Sequence, residues 1–285
     1  MQVLSLFDGI SGARQALKEL NIGCNYYASE IDKYAITITK KNHPDIIQMG
    51  DVRNVGGSIT KIDLLIGGSP CQDLSSAKKN RAGLRGGRSG LFFEYLRILN
   101  QTKPKFFILE NVASMKNADR DKITELLGVQ PIMINSALLT PQQRKRYYWV
   151  GKNVNGEYKT VDIQQPQDSN QDFLLNKEWH SVCIGSSNDR VFKKVNKFGT
   201  LTATYFKGIR ASGRPAIGHN SIIGQHIDNV DKTLYRMLTP IECERLQGFP
   251  DNYTASVSNT QRYKALGNSF SVPVIKHILS TIFKN

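Results

Sequence analysis

Along the first half of the chain, hydrophobic residues come as short apolar runs separated by stretches with helical spacing. Residues 3–7 form one such run and lead into Asp8-Gly9-Ile10-Ser11-Gly12. Ala13, Ala16, Leu17 and Leu20 then recur at the spacing of one helix face. Residues 26–29 predict a second strand, and residues 32–42 a helix with Asp32 as its N-cap. The runs at 62–66 and 106–109 have the pattern of strands buried on both faces of a parallel sheet. Strands alternating with helices predict βαβ units and an α/β fold, a doubly wound, mostly parallel sheet. From about residue 151 the pattern changes. Polar stretches such as residues 164–172 and scattered aromatics predict a loop-rich, mostly β insert running to about residue 232. Helical spacing returns at 240–247 and 272–283. The division expected is a catalytic and cofactor region over 1–151, an insert over 152–232, and a C-terminal segment over 233–285 that returns to the first region.

Composition adds limits. The 285 residues are 40% hydrophobic and 22% charged, an ordinary globular balance that excludes disordered and fibrous classes. No apolar run approaches the roughly 20 residues that span a bilayer, and the N-terminus meets Asp8 too early for a signal peptide. Cys24, Cys71, Cys183 and Cys243 are far apart, so neither a disulfide framework nor a metal site is expected and a reducing compartment is the default. Lys and Arg number 38 against 24 Asp and Glu, a net charge of +14 that favours a polyanionic partner.

In open α/β sheets the chemistry lies at the carboxyl ends of the strands, and three features fall there. The first is the glycine-bearing turn at residues 7–12. It reads either as a tight turn under a helix or as a nucleotide-binding loop, and Glu30, about 20 residues on, supports the second reading, because a carboxylate there can accept from ribose hydroxyls. Asp51, after the next short strand, could accept from an adenine amino group. The second is Gly67-Gly68-Ser69-Pro70-Cys71. A free cysteine is most often a small buried hydrophobe, but one following a strand and a Gly-Gly-Ser-Pro turn enters a cleft, where a thiolate can act as a nucleophile. The third is Glu110-Asn111-Val112 after an apolar strand. Its acid reads as a surface carboxylate or as a general acid raised by burial.

Taken in order, these residues resemble the cytosine-C5 DNA methyltransferase family. The motifs are residues 7–12, Pro70-Cys71, Glu110-Asn111-Val112, Gln142-x-Arg144-x-Arg146, residues 245–250 (Arg-Leu-Gln-Gly-Phe-Pro) and Gly267-Asn268-Ser269. They cover the chain except roughly residues 152–231. Leu4-Ser5-Leu6-Phe7-Asp8-Gly9-Ile10 and Arg146-Tyr147-Tyr148-Trp149 are closer still to the catalytic domain of eukaryotic de novo methyltransferases. Asp73-Leu74 departs from the Gly-Phe that many bacterial members carry after Pro-Cys-Gln.

The resemblance implies a Rossmann-like, S-adenosylmethionine-dependent enzyme that methylates C5 of a flipped-out cytosine in double-stranded DNA, releasing S-adenosylhomocysteine. It implies Cys71 as nucleophile at C6, Glu110 at N3 and Arg146 at O2, with Arg144 and Asn111 supporting them. It implies a cofactor set of Phe7, Asp8, Gly9, Ile10, Gly12, Glu30, Ile31, Asp51, Val52, Pro70, Leu91, Asn268 and Ser269. Lys78, Lys79, Arg81, Arg85 and Arg88 fall in a stretch, residues 78–90, with five basic residues, four glycines and no acid. This composition suits either a solvated loop or a lid closing on phosphates. Lys193, Lys194, Lys207 and Arg210, interleaved with aromatics in the insert, are either a solvated strand face or a target-recognition surface in the major groove.

Three alternatives stand beside this reading. A tRNA cytosine-C5 methyltransferase uses the same catalytic set, but the Cys-Phe-Thr tripeptide usual in that branch is absent. A catalytically inactive DNA-binding protein would not need Cys71, Glu110 and Arg146 together. A nicotinamide dehydrogenase would leave Pro-Cys unexplained and lacks Gly-x-Gly-x-x-Gly. The bare catalytic length suggests a bacterial or phage modification enzyme, cytoplasmic and nucleoid-associated. The sequence leaves open whether a cognate restriction endonuclease accompanies it, its oligomeric state and its target site.

Overall fold

The structure is a computed structural model that describes residues 1–56, 61–70, 89–168, 179–184, 191–208 and 215–283. The chain divides into two compact units. The first comprises residues 1–134, 145–165 and 274–285, and the second residues 135–144 and 166–273.

The first unit is built on an eight-stranded sheet. Its strands are β1 (Gln2–Leu6), β2 (Asn25–Ser29), β3 (Ile47–Gln48), β4 (Leu64–Gly68), β5 (Phe106–Val112), β6 (Pro131–Asn135), β7 (Lys145–Val154) and β8 (Glu157–Thr160). Their order is β3-β2-β1-β4-β5-β7-β6, with β8 paired to β7. Pairing is parallel from β3 to β5 and antiparallel between β5 and β7. Val3, Leu4, Leu6, Leu64, Leu65, Ile66, Phe107, Ile108 and Leu109 are all inaccessible to solvent. Apolar side chains on both faces of these strands explain why the sequence shows runs rather than alternation. The doubly wound, mostly parallel sheet expected from the sequence is observed.

Helices α1 (Gly12–Glu19) and α2 (Lys33–Asn42) follow β1 and β2, as their spacing predicts. The Asp32 carboxylate accepts from the Tyr34 amide at 2.9 Å, the expected N-cap. Two helices that the apolar pattern did not show also belong to this unit, α3 (Phe92–Thr102) and α4 (Asn117–Leu127). The chain enters β2 on one side of β1 and β4 on the other. This reversal is the topological switch point at which ligands of open α/β sheets bind.

The second unit carries a four-stranded sheet of β9 (Trp179–Ile184), β10 (Phe192–Lys194), β11 (Pro215–His219) and β12 (Tyr235–Arg236), in the order β10-β9-β11-β12. Its helices are α5 (Pro240–Gln247) and α6 (Asn259–Asn268). A capping box between Thr239 and Glu242, with Pro240 at the first helical position, starts α5, and Gly248 in the left-handed region ends it. Within this unit Glu244 is fully buried. It accepts from the Asn252 and Thr254 amides and pairs with Arg262 at 2.9 Å.

Packing divides the chain differently from the sequence. Residues 152–160, placed with the insert, complete β7 and form β8 in the large sheet. The last helix, α7 (Val272–Phe283), returns to the first unit over residues 274–285. There Lys276 pairs with Glu19 of α1 at 3.1 Å, and the Phe283 ring meets Phe106 of β5 edge to face at 5.6 Å. These contacts tie α7 to α1 and β5 within the first unit.

Candidate active site

Strand register places the candidate residues side by side. Leu6 of β1 is opposite Ser29 of β2 and Gly67 of β4, and Gly68 of β4 is opposite Glu110 of β5. Because β7 runs antiparallel to β5, its first residues return to the same end, with Arg146 opposite Val112.

Residues 7–12 leave β1 through an unusual backbone. Phe7, Gly9 and Ser11 all have left-handed φ values, 56°, 60° and 60°. For a bulky residue such as Phe7 this conformation is costly and persists only where its surroundings enforce it. Gly9 adopts it without strain, and among the described residues no atom beyond its chain neighbours lies within 4 Å of where its Cβ would be. Glu30 holds this loop to the start of α2. One carboxylate oxygen accepts from the Gly9 amide and the other from the Ile31 and Asp32 amides, each at 2.8 Å. Three of roughly four acceptor positions on the carboxylate are thereby filled.

Ile31 extends beside Glu30 and is 71% exposed, the most exposed of the large apolar side chains among the described residues. Val52 is buried, whereas Pro70 and Leu91 are partly covered. Asp51 is less available than the sequence suggests. Its carboxylate caps the turn at Val52–Asn54 and pairs with Arg53, which drives its pKa down to about 2. Arg97 of α3, which sequence reasoning missed, fixes this turn by donating to the carbonyls of Val52 and Val55 at 3.1 and 3.0 Å.

Of the described catalytic candidates, Glu110, Asn111 and Arg146 come together on β5 and β7. Arg146 Nε donates to Glu110 Oε1 at 2.8 Å, and the two side chains are only 13% and 12% exposed. Nη1 of the same guanidinium donates to the Lys145 carbonyl at 2.9 Å. Asn111, almost fully buried, donates through Nδ2 to Ser69 Oγ at 3.0 Å and to the Ser69 carbonyl at 3.3 Å. It therefore anchors the turn leading to Pro70 and Cys71. Cys71 itself, with Lys78, Lys79, Arg81, Arg85 and Arg88, lies outside the described residues, as does Arg210.

Arg144 has a different surrounding. Within the second unit it is buried and donates to the carbonyls of Leu201, Gly267 and Ser269 at 3.2, 3.3 and 2.8 Å. These bonds fix the end of α6, where Asn268 is exposed and Ser269 is buried. Gly267 is required there by close approach, since a Cβ would stand 2.3 Å from the Ala203 amide nitrogen. The insert residues divide by direction. Lys193 and Lys207 face solvent, whereas the neighbouring Phe192, Phe198 and Tyr205 are inaccessible. Those aromatics form the interior of the second unit, so the interleaving seen in sequence is alternation between core and surface.

The chain matches the family described as C-5 cytosine-specific DNA methylase over residues 1–178 and 176–284. It is 32% identical to the Type II methyltransferase M1.ScrFI of Lactococcus lactis subsp. cremoris, covering 97% of this chain and 76% of that one. It is 30% identical to M.NlaX of Neisseria lactamica, covering 97% and 94% of the two chains. Among solved structures it resembles the Entamoeba histolytica methyltransferase EhMeth, with a TM-score of 0.73 at 21% identity over 100% of this chain and 98% of that one. It also resembles the Dnmt2 methyltransferase of S. pombe, with a TM-score of 0.70 at 20% identity and the same coverage. These two likenesses concern the fold. Family match and sequence identity together assign the chain: it belongs to the C-5 cytosine-specific DNA methylase family and is a DNA cytosine-5 methyltransferase.

Proposed function

We propose that residues 7–12, Glu30, Ile31, Asp51, Val52, Pro70 and Leu91 hold S-adenosylmethionine, and that Cys71, Glu110 and Arg146 carry out methylation of a cytosine in double-stranded DNA. The observation that supports the catalytic half most directly is the Arg146–Glu110 pair, beside a turn that Asn111 fixes just before Cys71. The cofactor half is supported by three features that suit an adenosyl group. They are a loop with open space over Gly9 among the described residues, a carboxylate with acceptor capacity left, and an isoleucine that is 71% exposed.

C5 of cytosine is a poor nucleophile. Addition of the Cys71 thiolate to C6 pushes electron density onto the ring and makes C5 nucleophilic. Glu110, protonated once the base is in place, donates to N3 while Arg146 holds O2, and both stabilise the charge that develops there. The bound cofactor supplies the methyl group that C5 takes up. Removal of the C5 proton by a water-relayed base then lets Cys71 leave and restores the aromatic ring. The chemistry needs an unstacked base, so the target cytosine is flipped out at a cost of a few kcal/mol.

The basic stretch at residues 78–88 and the exposed Lys193 and Lys207 supply phosphate and base contacts, in keeping with the charge of +14. M1.ScrFI and M.NlaX, the two relatives matched by sequence, are Type II methyltransferases of bacteria. By that likeness we assign the enzyme to a bacterial cytoplasm, as the modification partner of a restriction endonuclease. No helix among the described residues is long and apolar enough to cross a membrane. Bisulfite sequencing of DNA from cells expressing the protein tests the activity and reads its target. Methylation at one short recurrent site supports the reading. Unchanged DNA, with methyl incorporation into tRNA instead, would overturn it.

A further inference from the structure

Beneath the loop at residues 7–12 lies a buried ionisable network. Asp8 is 4% exposed, and its carboxyl is turned into the protein. Oδ1 accepts from the Tyr26 hydroxyl of β2 at 2.8 Å, and Oδ2 accepts from the Ser11 hydroxyl. Ser11 in turn lies 2.8 Å from the Thr39 hydroxyl of α2. One carboxylate thus joins the loop, β2 and α2. It also ties down Ser11, whose left-handed conformation mirrors that of Phe7 at the other end of the loop.

We propose that Asp8 is a positioning residue for cofactor binding: its anion fixes the loop through Ser11 and Tyr26, and protonating it loosens the loop and weakens the cofactor's hold. This rests on the reading of residues 7–12 as the cofactor cradle.

The hydrogen-bond bookkeeping gives the reason. With the carboxylate ionised, Ser11 and Tyr26 each donate their only hydroxyl proton to it, and Thr39 donates to Ser11. Ser11, Tyr26 and Thr39 are then all used in one arrangement, while the buried Ser5 hydroxyl beside them has no hydrogen-bond partner among the described residues. A proton on the carboxyl turns one of its oxygens into a donor. Ser5, Ser11 or Tyr26 must then accept, so several arrangements compete and the network loses its unique order. The titration falls in a useful range. Burial pushes the Asp8 carboxyl up to about 6, the Glu30 charge adds to the push, and Ser11, Tyr26 and the facing Ser5 hydroxyl oppose it. Tyr26 stays a neutral donor, because burial raises its pKa further from neutrality.

Calorimetric titration of S-adenosylhomocysteine into the full chain, from about pH 5 to about pH 7.5, tests this. For the wild-type protein, affinity should fall about tenfold at the acid end, with a midpoint near the Asp8 titration. Asp8→Asn should bind weakly and without pH dependence across the range. Tyr26→Phe removes a donor to the anion, so its midpoint should move to higher pH, a shift that a purely structural role would not produce. If Asp8→Asn does not fold, the Tyr26→Phe midpoint decides alone: a shift upward supports the proposal and an unmoved midpoint overturns it. Wild-type binding that Asp8→Asn leaves unchanged at every pH overturns this inference alone. No binding by the wild-type protein overturns the cofactor reading and this inference with it.

Discussion

Arg144 Nη2 stands 2.8 Å from the carbonyl of Ser269, a residue 125 positions later in the chain. The same guanidinium reaches the carbonyls of Gly267 and Leu201. The first arginine of Gln-x-Arg-x-Arg is thereby a clamp on the Gly-Asn-Ser turn of its own unit. Lysine keeps the charge but loses the planar fork that serves three carbonyls at once. Arg144→Lys should therefore lower stability by about 2–4 kcal/mol, because buried carbonyls lose their donor. Urea denaturation followed by circular dichroism measures this. An unchanged midpoint would show that the clamp contributes nothing.

Two features of the molecule hid this arrangement from the sequence. The motif Gln-x-Arg-x-Arg spans the boundary between units, so Arg144 and Arg146, two residues apart, serve different surroundings. Arg146 stands beside Glu110, whereas Arg144 reaches the end of α6. The parallel strands were legible because their runs are buried on both faces, and Asp32 announced α2 by its capping chemistry. The polar helices were not. α4 buries only Ile123 and Leu127, and α6 only Leu266 and Gly267, too few positions to mark an apolar face. Asp51 was placed by its position after a strand, while Arg53, two residues on, took up its carboxylate.

Asp8 also gives the protein a pH-dependent stability term with a definite sign. Its folded-state pKa of about 6 lies above the ordinary value of 3.8. Between these values the native chain keeps a proton that the unfolded chain has lost. The Asp8 contribution is thus greatest at about pH 4 and below, falls as pH rises towards 6, and is constant above it. The total change is on the order of 2–3 kcal/mol. Burial of His43 works in the opposite direction, since its pKa is lowered to about 4 and protonation in acid destabilises the native state. The difference between wild type and Asp8→Asn isolates the Asp8 term. Urea midpoints of the two proteins, measured across this range, should diverge with that slope. A constant difference would contradict the raised pKa.

Ile31 tests the adenosyl reading without disturbing the fold. At 71% exposure it contributes little to stability, yet it lies beside the Glu30 carboxylate that holds the loop. If a cofactor covers it, Ile31→Ser should weaken S-adenosylmethionine binding by roughly 5–30-fold, the loss of about 1–2 kcal/mol of apolar burial. The thermal midpoint should stay within about a degree of the wild type. Calorimetry of cofactor binding, with a thermal melt as control, measures both. Equal affinities would remove Ile31 from the site.

The chemistry proposed for Cys71 requires a transient bond from its sulfur to C6 of the target base. Transfer of labelled methyl groups from S-adenosylmethionine into duplex DNA carrying the target site, compared between wild type and Cys71→Ser, tests it most directly. The serine hydroxyl is a far weaker nucleophile than a thiolate, so incorporation should fall by at least about a thousandfold, roughly 4 kcal/mol in the barrier. Incorporation by Cys71→Ser at the wild-type rate would contradict the mechanism.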